Sequence, residues 1–136
     1  YHKIKDLKFL NKLTNAKVIC FAESIWIKDL SEIDFSNNKK LEYFEIYEVD
    51  LTAVKEIKNL PETLKYLAIV HCKLNDSILK KSDNKKVIYV IDKRQVKYVS
   101  DNYIFDTNLP ELWDQYKIKR KNHKSYLLLF ISMILL

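Results

Sequence analysis

Within these 136 residues, few side chains are suited to proton transfer or nucleophilic attack: three histidines, His2, His71 and His123, and two cysteines, Cys20 and Cys72. His71 alone sits amid regularly spaced charge, with Glu48 and Arg94 standing 23 residues to either side of it. General acid–base chemistry needs a base within hydrogen-bond reach of its proton, an orienting partner and a sheltered cleft. The histidines lie far apart in sequence, and a shallow surface seldom shelters a lone one. Two cysteines, with no zinc-type Cys/His spacing around them, do not supply the four ligands of a zinc site. Glycine is absent altogether. Phosphate-cradling loops, dinucleotide fingerprints and nucleophile elbows are therefore excluded, because each needs glycine where backbone approaches a ligand or turns sharply. Turns that require a positive φ must be made by asparagine, aspartate or strain. The expectation is a non-enzyme with no cofactor, no metal and no small-molecule substrate.

A composition of 48% hydrophobic and 31% charged residues is that of a globular domain. The net charge of +6 is concentrated in residues 51–100, where 11 Lys and Arg face 5 Asp and Glu. A basic middle suits an acidic partner or simply a solvated face.

The elements that must position these side chains repeat. Leu64, Leu67, Ile69, Cys72 and Leu74 form the pattern LxxLxLxxCxL, and Leu41, Phe44, Ile46, Val49 and Leu51 place apolar residues at the same five positions 23 residues earlier. The stretch from Ser36 to Tyr43 recurs as Ser82 to Tyr89, at twice that offset. A unit from Val87 has Asp92 and Gln95 where apolar or asparagine residues are expected, and a slip of one residue would instead bury Tyr89 and Ile91. Upstream, Ala16, Ile19, Phe21, Ser24 and Trp26 make a weaker unit. Between units the apolar period changes to three, as in Ile4, Leu7, Leu10 and Leu13 and again in Val54, Ile57 and Leu60, which reads as short helices or 3₁₀ turns. Each unit is too small to bury its own apolar face and does so by stacking on its neighbours.

Residues 60–74 resemble the bacterial leucine-rich repeats whose units begin with Leu-Pro, and Asn108-Leu109-Pro110-Glu111-Leu112 echoes that start. The resemblance implies an α/β fold: a short repeat solenoid with a curved parallel sheet, strands centred near residues 19, 44, 67 and 89, and short helices or 3₁₀ turns on the convex side. Leu41, Phe44, Ile46, Leu64, Leu67 and Ile69 would form its core. Residues 1–116 would hold the repeats, in units starting near 16, 41, 64 and 87, with 117–136 as a separate tail. Where the family has asparagine in its turns this chain has Ser24, Val49, Cys72 and Gln95, and Val49 predicts an irregular turn. A non-repeat α+β domain is the rival; β-branched and aromatic runs argue against an all-helical bundle.

Alternation along each strand sends the residues between the leucines to the concave face. Three columns result: Val18, Tyr43, Tyr66 and Tyr89; then Cys20, Glu45, Ala68 and Ile91; then Ala22, Tyr47, Val70 and Lys93. The expected partner-binding set is Tyr43, Glu45, Tyr47, Tyr66, Val70, Tyr89 and Lys93, because in-register tyrosines offer rigid amphipathic area at low entropic cost. The alternative is that the tyrosine ladder merely shields its own sheet. The leading partner is a protein, with nucleic acid disfavoured. A second route is electrostatic attachment to an anionic membrane or nucleic acid, since five positive charges within residues 117–124 precede an apolar run over 125–136. That run would span about 18 Å as helix, short of the roughly 30 Å hydrocarbon core. It reads as a truncated anchor, an interfacial segment or a cap on the stack. Cys20 and Cys72 would lie roughly 10 Å apart, two strands away, too far for a disulfide, which favours a reducing compartment. The chain opens on Tyr1, as a mature product or fragment does.

Overall fold

The computed structural model describes residues 6–22, 31–75, 77–79, 84–92, 94, 99–118 and 129–132. Within them, ten strands follow in chain order: β1 (Val18–Ala22), β2 (Glu32–Asp34), β3 (Tyr43–Tyr47), β4 (Asp50–Leu51), β5 (Glu56–Lys58), β6 (Tyr66–Val70), β7 (Lys73–Leu74), β8 (Ile88–Ile91), β9 (Tyr103–Phe105) and β10 (Leu129–Ser132). A 3₁₀ helix over Lys8–Lys12 precedes them, and a 3₁₀ turn at Asp106–Asn108 runs into a short α-helix, Leu109–Gln115. The architecture is mixed α/β. Its main sheet has the order β10-β1-β3-β6-β8-β9, parallel from β1 to β9 in chain order, with β10 antiparallel on the β1 edge. Strand β10 falls within the tail that the sequence set apart, and it belongs to this sheet. Among the described residues, no helix is long and apolar enough to cross a membrane.

The register follows the repeat. Val18 pairs with Tyr43 and Tyr43 with Tyr66, so residues two apart stay on one face from strand to strand. Leu41, Phe44, Ile46, Leu64, Leu67 and Ile69 are all buried in the main core. At β8 the register slips by one: Tyr66 pairs with Ile88 and Leu67 with Tyr89. Tyr89 and Ile91 consequently enter the main core and Val90 the opposite face. The unit has one residue fewer between its entry position, Val87, and its strand than the units entered at Leu41 and Leu64 have.

Two further parallel ladders flank the main sheet, β2 with β5 and β4 with β7. The first corrects the sequence reading of residues 54–60 as a short helix or 3₁₀ turn. Ile57 is buried with Glu56 exposed beside it, the alternation of a half-buried strand, and Lys58 crosses to Glu32 at 2.8 Å. The three-residue period before β1 does form a 3₁₀ helix, ended by Leu13 donating to the Leu10 carbonyl.

Without glycine, the sharp bends fall to other residues. Glu48 and His71 take φ of 55° and 53°, directly after β3 and β6, at a cost of about 1–2 kcal/mol each for an L-residue with a Cβ. Each bend turns the chain into the next short strand, and the residue after it, Val49 or Cys72, is buried. The turn at Val49 is thus as regular as its neighbour, contrary to expectation, because the left-handed residue before it makes the bend.

Polar side chains serve the opposite ends of the strands. Asn38 Nδ2 donates to the Leu10 and Leu13 carbonyls, the Thr63 hydroxyl to those of Lys39 and Leu41, and Asn102 Nδ2 to those of Asn84 and Val87. Each side chain ties the strand entry to carbonyls of a neighbouring turn; those of Leu10, Leu13 and Asn84 also accept from the backbone N–H of Leu13, Ala16 and Val87, so the amide fills their second lone pair.

Both cysteines are buried thiols, on opposite faces of the sheet. Burial pushes the Cys72 thiol up to about 12, against the smaller opposing effect of backbone hydrogen bonds at Val49, Val70 and Glu48. The folded state therefore favours the neutral thiol. Its stabilising contribution is intact below the ordinary thiol value near 9 and is lost as pH rises from there through about 12. A thiol reagent at pH 8 is expected to leave Cys72 unmodified until denaturant unfolds the chain. Peptide mapping after a timed labelling pulse checks this; rapid labelling of the native protein at Cys72 would contradict its burial.

Candidate functional site

The face opposite the main core carries the expected recognition columns, and the chain's own C-terminal segment covers it. Leu109 and Leu112, one turn apart on the helix Leu109–Gln115, are buried with Ile118 against Val18, Cys20, Tyr43, Ala68, Val70 and Val90. Pro110 sits in the first turn of that helix, where its missing N–H costs nothing. Trp113 Nε1 donates to Glu45 Oε1 at 2.8 Å, and the Tyr43 hydroxyl donates to the same oxygen at 2.6 Å.

This arrangement relocates most of the expected binding set. Tyr43 and Glu45 are 0% exposed and Val70 is also fully buried, so none of them is offered to solvent. Tyr89 lies on the other face, in the main core, where its ring packs 5.2 Å from that of Tyr103 and its hydroxyl accepts from the Asn84 backbone. The three-tyrosine column is therefore Tyr43 and Tyr66, with Ile88 in third place. Tyr66 and Tyr47 remain half-buried. Tyr116, which the sequence did not single out, closes the aromatic group, with its ring centre 5.0 Å from Tyr43 and 5.9 Å from Tyr66. Burial foremost, then Tyr66 and Glu42, pushes its hydroxyl up to about 12. Lys93 lies outside the described residues, as do His2, Ser24, Trp26, Gln95 and His123.

A second constellation gathers at the carboxyl ends of three adjacent parallel strands. His71 follows β6, Asp92 follows β8 and Asp106 follows β9. Parallel pairing brings these three positions together. His71 Nδ1 lies 2.8 Å from Asp92 Oδ2, and Nε2 lies 3.4 Å from Asp106 Oδ2. The left-handed backbone of His71 turns the chain here, and Tyr47 backs the imidazole edge-on at 5.1 Å. Burial alone would raise Asp92, but hydrogen bonds from the Arg94 backbone and guanidinium, with the electrostatic pull of His71 and Arg94, hold it below the usual carboxylate range. Sequence reasoning found His71 and Arg94 but grouped them with Glu48. Its signal for Asp92 was a charge where the repeat asks for an apolar residue. Asp106 gave none, because β9 follows β8 at a step shorter than the repeat, with Tyr103 pairing to Tyr89.

The chain was compared with known protein families, with curated proteins and with solved structures, and none matches.

Proposed function

We propose that this chain is a non-catalytic recognition module, a short stack of leucine-rich-repeat units whose partner is a protein. The observation that carries this reading is the recurrence of parallel pairing near the repeat spacing in three separate ladders: Tyr43 with Tyr66 in the main sheet, Glu32 with Glu56 and Asp50 with Lys73 beside it. Stacked copies of one unit would pair in this way. Stacking of this kind creates extended surfaces from equivalent positions. With the helix Leu109–Gln115 seated on Tyr43, Glu45 and Val70, the surface available to a partner is the half-buried strip of Tyr47, Tyr66 and Tyr116 beside His71. Partly exposed aromatic rings held by neighbours lose little entropy on binding.

The test is capture from an extract of the source cells by the immobilised chain, repeated across a salt series. A parallel series uses anionic vesicles and a nucleic-acid duplex. A defined protein should be retained with little dependence on salt, and Tyr66→Ala should weaken that binding by about 1–4 kcal/mol, the range of an aromatic anchor. Attachment that falls steeply with salt, is indifferent to Tyr66 and is lost on neutralising Lys85, Lys86 and Arg94 would replace this reading with the electrostatic one.

A further inference from the structure

The helix Leu109–Gln115 is held over the sheet by little structure of its own. Isolated helices shorter than about 12 residues are marginal in water, and this one has seven, so it is helical only while seated. Its apolar hold on the sheet is Leu109, Leu112 and Ile118, while Trp113 and Tyr116 beside them stay half-buried.

Seating it removes polar groups from water on both sides of the contact. Parallel pairing places Cys20, Glu45, Ala68 and Val90 in one row across four strands, so the Glu45 carboxyl group, 0% exposed, stands amid apolar neighbours. Hydrogen bonds from Tyr43 and Trp113 offset its loss of water. On the covering segment, the Tyr116 hydroxyl is buried with no hydrogen-bond partner among the described residues. Water would meet that hydroxyl once the segment lifts, so its desolvation weighs against the closed state alone. A segment that served only to seal the sheet would close as well or better with apolar side chains at both places, since exchanging both members of a buried polar pair for apolar groups is nearly neutral or stabilising.

The geometry points to a displaceable cover: the helix Leu109–Gln115 occupies the sheet face that an amphipathic helix of the partner takes, and gives way to it. A competing helix needs the same chemistry, two apolar side chains one turn apart and an N–H donor next to them that reaches Glu45. It lies with its apolar face on the sheet, as helices do in hydrophobic grooves. That a partner protein supplies this helix rests on the recognition reading; that the chain's own helix exchanges is a property of the chain alone.

A labelled peptide of residues 106–118 titrated into the full chain tests it, together with amide hydrogen exchange. In the wild type, amides 109–116 should exchange faster than those of β3 and β6, through lifting of the helix without unfolding of the sheet. Leu112→Asp unseats the chain's own helix and leaves every sheet residue in place. It should keep the far-UV circular dichroism of the sheet and bind the peptide at least about tenfold more tightly than the wild type, whose affinity is reduced by the fraction of chains that are open. The same peptide carrying Leu112→Asp should not bind. Capture of no protein from an extract would count against the recognition reading and leave this exchange standing. A Leu112→Asp chain that unfolds, or that folds and binds the peptide no better than the wild type, would overturn the cover, as would wild-type amides 109–116 that exchange only at the rate of β3 and β6.

Discussion

Phe44→Ala is expected to cost about 3–5 kcal/mol, the range for deleting a fully buried aromatic ring. Phe44 is at the centre of the main core on the central strand β3, 0% exposed, with Phe21 edge-on at 5.8 Å from the preceding strand and Phe35 at 4.7 Å from the chain leading out of β2. Its removal opens a cavity between three successive segments. Total stability of a domain this size is about 5–15 kcal/mol, so the variant should melt far lower or fail to fold near body temperature. Urea denaturation of both proteins measures the difference. A loss under about 0.5 kcal/mol, the scale of an ordinary surface substitution, would mean that β3 presents its other face to the core.

The second large effect concerns the seat of the helix. Glu45→Leu should be more damaging than Trp113→Phe, because it strands two donors, the buried Tyr43 hydroxyl and the half-buried Trp113 indole N–H, whereas the phenylalanine removes one donor and leaves Tyr43 in place. Each buried group deprived of its partner costs about 1–3 kcal/mol. Glu45→Leu should therefore lose about two such penalties, whereas Trp113→Phe, after which Glu45 Oε1 still accepts from Tyr43, should lose about the net worth of one hydrogen bond, about 0.5–1.5 kcal/mol. Amide hydrogen exchange gives the structural readout, since loosening the helix should speed exchange at residues 109–116 before it affects β3 and β6. Equal destabilisation by the two substitutions, or none by Trp113→Phe, would show that the bond between residues 45 and 113 does not fasten the helix.

Strand β3 was legible because its apolar alternation is one-sided in sequence, with Glu45 between Phe44 and Ile46, and β6, where Ala68 and Val70 are apolar and buried too, was legible because the 23-residue spacing carries that register over to Leu67 and Ile69. At β8 that discrimination fails. Ile88, Tyr89, Val90 and Ile91 are apolar at every position, since the helix covers one face and the core the other, and the repeat template chose the wrong one. The cover itself was hidden in a shared tetrapeptide. Asn59-Leu60-Pro61-Glu62 and Asn108-Leu109-Pro110-Glu111 read alike, yet the first leads into a turn before β6 and the second into a helix. The next residues decide: Thr63 and Leu64 lead into a strand, whereas Leu112 falls one turn beyond Leu109 and completes an apolar stripe. Three of the expected site residues, Tyr43, Glu45 and Val70, went under that helix. The bends at Glu48 and His71 could not be placed from composition, because neither is the asparagine or aspartate expected at a positive φ, as Asn59 at 57° is.

The pairing of β10 with β1 bears on the order in which the chain is expected to assemble. From β1 to β9 every strand of the main sheet joins the one before it across about one repeat unit or less, so each addition closes a short loop on a surface already formed. Val18 and Ser132 meet across nearly the whole chain. Closure entropy grows with loop length, and contacts between distant residues gain least before the rest is in place. Assembly should thus spread across the sheet by local steps and end with the pairing of β10 on β1. Until then the β1 edge carries unpaired backbone groups, the state in which a strand of another molecule competes for the same place.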